Sequence, residues 1–267
     1  MHTQVNELFS ELWQDYVSVT PSAAKIHALL GSSQQDDVQN DHIALRTFNI
    51  EKINLEKLAA HFLALGYKEC GEYHFEAKKL YAKHFEHPDP TQPKVFISEL
   101  LLEKCSPELQ AIVHKLVDQI EVAAVTADNF LYSGRHWSID QATYNTLVKE
   151  SEYAAWVSVW GFRANHFTVS VNALKNFETL VSVNDTLKAA GFALNTSGGE
   201  IKGSPEVMLK QSSTLADEAL VEFTDGSKMV PSCFYEFARR FPMADGTLYP
   251  GFVAASADKI FESTNAR

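Results

Sequence analysis

The chain has 267 residues, 45% hydrophobic and 21% charged, a composition that excludes disordered and collagen-like chains and predicts one large or two small globular domains. A formal net charge of −11 without any Lys/Arg run argues against nucleic acid as a partner, and no apolar stretch reaches the roughly 18 residues of a membrane span. Three cysteines without a CxxC pair predict neither a disulfide framework nor a thiolate zinc site, and the N-terminus lacks a signal-peptide order, so a soluble, cytoplasmic protein is expected.

In chain order, Leu8, Leu12, Tyr16 and Val17 set an apolar stripe that predicts a helix over 5–19. Pro21, at a first-turn position, opens a second helix ending at Gly31. Residues 32–40 are polar and read as a loop. The period then changes: 42–48 alternates as a strand, with His42, Ala44, Arg46 and Phe48 on one face. Asn54 caps a helix that stops at Gly66, and three extended segments follow over 69–75, 79–85 and 94–101. A helical spacer begins at Ser106-Pro107, with more helix expected over 127–160. Residues 164–171 form another strand and 176–190 another amphipathic helix, ending at Gly191. Further strands are expected over 206–211, 219–223 and 229–238.

This order is a repeat of strand, helix and three strands, the second copy displaced by 124 positions. His42 precedes Gly66-Tyr67 by 24 residues and His166 precedes Gly191-Phe192 by 25; both strands open Asp/Asn-His-apolar. The fold class expected is α+β: paired modules in a curled, barrel-like mixed sheet around a metal site, with extra helices at the N-terminus and between the modules. One catalytic domain over 1–267 is read as N-terminal helices (1–40), first module (41–104), helical spacer (105–162), second module (163–240) and C-terminal segment (241–267).

Two histidines at equivalent strand positions can meet at one metal, whereas the other eight of the ten sit on helices, turns or edges where hydrogen bonding accounts for them. The alternative for His42 and His166 is a bond to backbone carbonyls. Glu236, flanked by Phe234, Tyr235, Phe237 and Ala238, is costly to bury as a free anion and calls for a cation: a metal, or Arg163, Arg239 or Arg240. Glu222 competes but precedes a turn signal, Asp225-Gly226, and Glu99 is read as the first module's counterpart of Glu236, which leaves a four-ligand site open. Two His and one carboxylate suit Fe(II) with dioxygen, leaving positions for a chelating 2-oxo acid. Arg46 lies on the His42 face with its Cα about 13 Å away. It can clamp a second carboxylate, or pair with Glu99 or Asp41.

Three segments carry a resemblance: Asn40-Asp-His-Ile-Ala-Leu-Arg-Thr-Phe48, Phe234-Tyr-Glu-Phe-Ala-Arg-Arg240, and Gly251-Phe-Val-Ala-Ala-Ser-Ala-Asp-Lys-Ile-Phe-Glu-Ser-Thr264. Over about residues 5–265 the chain resembles the 2-oxoadipate dioxygenase/decarboxylase (2-hydroxyglutarate synthase) family of the vicinal oxygen chelate superfamily. The resemblance implies paired βαβββ modules around Fe(II), with His42, His166 and Glu236 as metal ligands and Arg46 holding the oxo-acid. It further implies a reaction in lysine breakdown, in which 2-oxoadipate and O2 give 2-hydroxyglutarate and CO2. Two other classes remain open: a glyoxalase-like isomerase or hydrolase with zinc or nickel and Glu99 as fourth ligand, and a non-catalytic small-ligand binding module.

Overall fold

The computed structural model describes residues 1–31 and 38–265; of the loop expected over 32–40, residues 32–37 lie outside the described residues. Helix α1 (Val5–Val19) buries Leu8, Leu12 and Tyr16 at helical spacing, and the Tyr16 hydroxyl donates to Phe234 O at 2.5 Å. Helix α2 (Pro21–Leu30) starts on its proline. The first module is β1 (Asn40–Phe48), α3 (Leu55–Leu63), β2 (Lys68–Phe75), β3 (Leu80–Glu86) and β4 (Lys94–Leu100). Asn54 Oδ1 accepts from Lys57 N to cap α3, and Gly66, at φ +94°, turns the chain out of it.

The second module is β5 (Ala164–Ser170), α7 (Leu180–Ala189), β6 (Lys202–Ser204), β7 (Leu209–Ser213) and β10 (Phe234–Arg240). One eight-stranded sheet runs β2-β3-β4-β1-β5-β10-β7-β6, so the two modules mirror one another across the antiparallel β1/β5 seam. On either side of that seam the next strand is parallel: β4 beside β1, and β10 beside β5. The expected paired-module α+β fold is the fold observed.

The strands of the second copy differ from those expected. Residues 219–223 fall in β8 (Glu218–Phe223), which pairs with β9 (Gly226–Pro231) in a separate two-stranded sheet. The segment expected as one strand over 229–238 is therefore two, broken after Pro231. The turn signal at Asp225-Gly226 makes a hairpin, but periodicity says nothing about which sheet a hairpin joins. The third strand of this module is β6, with three residues and Gly203 at φ +79°, too short for a periodic signal.

The spacer holds α4 (Pro107–Val117), α5 (Gln141–Glu150) and α6 (Glu152–Trp160). Residues 127–140, expected as helix, contain only a 3₁₀ turn, Phe130–Tyr132, before α5. Helix α6 is buried from Tyr153 to Trp160 and ends at Gly161, whose φ of +63° and ψ of −137° suit glycine alone. A Cβ there would lie 2.2 Å from Gly134 O, where Gly134 and Phe162 exchange two backbone hydrogen bonds. Last, α8 (Ala254–Ile260) and a 3₁₀ turn (Phe261–Thr264) fold over the sheet. Among the described residues no helix is long and apolar enough to cross a membrane.

Candidate metal centre

Strand pairing places the two histidines and the glutamate together. His42 on β1 pairs with Thr168 on β5, and Glu236 on β10 pairs with the same Thr168; His166 lies two residues earlier on β5 and so shares their face. His166 Nε2 is 3.1 Å from Glu236 Oε2, His42 Nε2 is 3.7 Å from Glu236 Oε1, and one ligand atom from each residue lies within 4.8 Å of the others. All three are buried, Glu236 to 1% exposure.

The ring orientations are set from behind. His42 Nδ1 donates to Asp41 Oδ1 at 2.7 Å and His166 Nδ1 to Asn165 Oδ1 at 3.2 Å. With Nδ1 carrying the proton in each ring, both Nε2 lone pairs face the Glu236 carboxylate. Thr168 Oγ1 meets His42 Nε2 at 3.1 Å, and Gln211 Nε2 donates to Glu236 Oε1 at 2.6 Å, but neither contributes positive charge. Two imidazole acceptors and a buried carboxylate facing one another form a candidate cation site, and the donor set fits a divalent transition metal. Burial lowers the His166 pKa and keeps the ring neutral, the form that ligates.

Asp41 is itself held by Arg240, whose Nε and Nη2 lie 2.7 and 2.9 Å from its two oxygens, and Arg240 Nη1 donates to the Tyr249 and Gly251 carbonyls. Burial would raise the Asp41 carboxyl; Arg240 and the His42 N–H reverse that and hold it well below the carboxylate range. Arg240 thus pairs with Asp41 and Arg163 with Asp15, and among the described residues no arginine forms an ion pair with Glu236. Glu222 sits on the β8–β9 hairpin, accepting from Ser227, away from this cluster.

Glu99 does not stand where Glu236 stands. Its Oε2 accepts from Leu55 N at 2.8 Å on the α3 side of the sheet, paired with Thr47. In the strand register His166 lies beside Phe234 and Glu236 follows two residues on; His42 lies beside Lys94, and two residues on is Phe96. Phe96, with Phe252, Ile260 and Phe261, walls a small cavity of about 20 Å³ onto which His42, His166, Gln211 and Glu236 open.

Arg46 lies two pleats beyond His42 on the same face, buried among the rings of Tyr153, Trp156 and Phe261 at 5.0, 5.1 and 5.5 Å. Those contacts are worth about 0.5–2 kcal/mol each. Its one hydrogen bond is from Nη1 to Thr264 Oγ1 at 3.2 Å; Nε and Nη2 are buried without a partner among the described residues. Neither Asp41 nor Glu99 pairs with it. Burial lowers its pKa to about 10, which leaves it charged at neutral pH. Arg46 and Thr264 also line a second cavity of about 200 Å³, and Phe261 stands in the wall of both cavities.

Sequence reasoning missed Gln211, Thr168, Phe252 and the orienting role of Asp41 and Asn165. The last was within reach, because each histidine follows an Asp or Asn in both copies of the repeat.

Two βαβββ modules sharing one sheet, with a two-histidine, one-carboxylate cluster at their seam, define the vicinal oxygen chelate class. Residues 3–247 match the model of the 2-oxoadipate dioxygenase/decarboxylase family, and the chain belongs to that family. The curated 2-oxoadipate dioxygenase/decarboxylase of Oryza sativa is 34% identical over 287 residues, covering 97% of this chain and 78% of the rice protein. A structure of the Oryza sativa hydroxyglutarate synthase in complex with 2-oxoadipate superposes with a TM-score of 0.89, covering 97% of this chain and 91% of that one. A Shewanella frigidimarina protein, provisionally named a hydrolase, is 66% identical with a TM-score of 0.92, covering 95% of this chain and 99% of its own.

Proposed function

We propose that this protein is an Fe(II)-dependent dioxygenase that decarboxylates a 2-oxo dicarboxylic acid of the 2-oxoadipate kind. With O2 as co-substrate, the products are a 2-hydroxy acid of the 2-hydroxyglutarate kind and CO2, a step of lysine breakdown. The observation that carries this reading is the pairing of an uncompensated acceptor cluster with an uncompensated cation. His42, His166 and Glu236 converge with no Lys or Arg ion-paired to the carboxylate among the described residues, while Arg46, on the same face, is buried with no ion-paired acid among them. A dicarboxylate with a keto acid at one end and a free carboxylate at the other satisfies both. Named for the same chemistry are the family and the rice protein whose structure contains 2-oxoadipate.

In this reading His42, His166 and Glu236 hold iron, which when bound supplies O2 activation and a docking point for the keto acid. The chain's own residues do the rest. Asp41 and Asn165 keep both Nδ1 atoms protonated, so both Nε2 atoms stay available. Gln211 fixes the Glu236 carboxylate, and its own buried Oε1, without a partner among the described residues, is free to accept from a hydroxyl or water. Arg46 holds the remote carboxylate in a planar fork and so sets the distance of the reacting end. Phe96, Phe252 and Phe261 exclude water from the reacting end.

The redox-silent alternative with Glu99 as fourth ligand finds no support in the placement of Glu99 against Leu55. Three cysteines, none in a disulfide, accord with a reducing compartment such as the cytoplasm. The test is anaerobic loading with Fe(II) and 2-oxoadipate followed by O2. Equal amounts of O2 consumed, CO2 released and 2-hydroxyglutarate formed are expected. No oxygen uptake across a panel of 2-oxo dicarboxylic acids would overturn the reading.

A further inference from the structure

A second group of metal-ligating side chains lies on the β2–β3 hairpin, outside the centre described above. Opposite Phe85 and His84, β2 carries one residue too many: Glu69 pairs with Phe85 and Gly71 with His84, leaving Cys70 as the extra residue of a bulge. A bulge re-aims the side chain it displaces, and here the Cys70 sulfur, His84 and Glu86 come within 4.8 Å of one another. The turn depends on Gly71, since a Cβ there would lie 2.9 Å from His84 Nδ1.

The cluster has the features of a built site. His84 is buried, and its Nδ1 is engaged by the Tyr73 hydroxyl at 2.9 Å, which orients the ring from behind as Asp41 orients His42. His84 Nε2 faces Glu86 Oε1 at 3.1 Å, while Lys94 holds the other oxygen, Oε2, at 3.1 Å and so fixes the carboxylate. Cys70 is exposed, donates a long bond of 3.4 Å to Lys68 O, and its thiol also interacts with Glu86. One thiolate, one imidazole and one carboxylate with solvent on the open side match the donor preferences of zinc.

We infer that Cys70, His84 and Glu86 form a second cation site, for a zinc-class divalent metal, separate from the His42–His166–Glu236 cluster. Binding replaces the thiol proton, which leaves to solvent, and inserts the ion between His84 and Glu86. The Phe252 ring, 5.2 Å from His84 and 4.8 Å from His42, stands between the two clusters. A sequence search for paired cysteines passes over this site because only one of its ligands is a cysteine.

Anaerobic titration of the full chain with Co(II) tests it, because a thiolate ligand gives cobalt an intense near-ultraviolet charge-transfer band that a His/His/Glu site cannot give. The wild type is expected to show that band, saturating by two equivalents because the His42–His166–Glu236 cluster also takes cobalt. Cys70→Ser is expected to abolish it, Glu86→Gln to weaken the ion by about tenfold or more, and Glu236→Gln to leave the band in place. If Cys70→Ser does not fold, alkylating the wild type makes the same test, since Cys70 is the exposed thiol and Cys105 and Cys233 are buried. No band in the wild type, or a band that survives loss of the Cys70 thiol, would overturn the inference.

Discussion

Phe96 stands in the first module where Glu236 stands in the second, each two residues along the strand that runs parallel to a histidine-bearing strand. The duplicated sheet therefore offers four ligand positions and fills three with donors. An apolar ring at the fourth leaves a cation there with open coordination on a dry side. Phe96→Glu is expected to complete a four-donor set: zinc should raise the melting temperature of the variant more than that of the wild type, and iron-dependent O2 uptake should be lost. Phe96→Leu, which keeps the wall apolar, should retain uptake.

Arg46 makes a sharper prediction about substrate than about metal. A hydrogen bond to a charged group contributes about 1.5–3 kcal/mol, so Arg46→Met should raise KM for a 2-oxo dicarboxylate by about 10- to 100-fold. Turnover of a 2-oxo monocarboxylate, which has no remote charge, should change little. Arg46→Lys should not restore the wild-type value, because an ammonium lacks the planar fork and loses the ring contacts with Tyr153 and Trp156. Steady-state kinetics on the two acid classes separates these outcomes.

The Asp41–Arg240 pair ties pH to stability. The folded Asp41 carboxyl lies below its unfolded value of about 3.9, so its contribution is complete above that pH and is lost as pH falls beneath it. Asp41→Asn leaves Arg240 buried without its acid and is expected to cost about 3–5 kcal/mol at pH 7. The variant should lose less stability than the wild type between pH 5 and the lowest pH at which both fold. Urea unfolding across that range, read with the same probe for both proteins, checks the sign.

Gly161 tests the backbone in place of the chemistry. Gly161→Ala forces a side chain against Gly134 O and into a dihedral region closed to alanine. A loss of more than about 2 kcal/mol is expected, which for a chain of this size lowers the melting temperature by roughly 4–8 °C or more. Gly246→Ala, where nothing lies within 4 Å of the added Cβ, controls for the effect of a positive φ alone.

Much of the site was legible because its residues carry patterns. His42 and His166 stand out by recurring at one place in a repeat, and Glu236 by its apolar neighbours. Gln211 carries no such mark, since an amide in a short strand looks like any polar strand residue until pairing sets it opposite Ala238, where its side chain reaches Glu236. The assignment of Glu99 as counterpart of Glu236 failed for a related reason. Distance along the chain does not contain the register between β1 and β4, and an error of odd length turns a side chain to the other face. The hairpin β8–β9 was likewise readable as two strands but not as an insertion, because its partner sheet is a tertiary fact.

The β1/β5 seam has a consequence for assembly. One imidazole comes from the first half of the chain, and the second imidazole and the acid come from the other. Neither half alone owns a complete coordination set. An ion seated there rivets the halves together, so metal affinity and the cohesion of the seam are one linked equilibrium. Expressed as two fragments, 1–104 and 105–267 would be expected to reassociate more tightly when iron or zinc is supplied than when it is withheld.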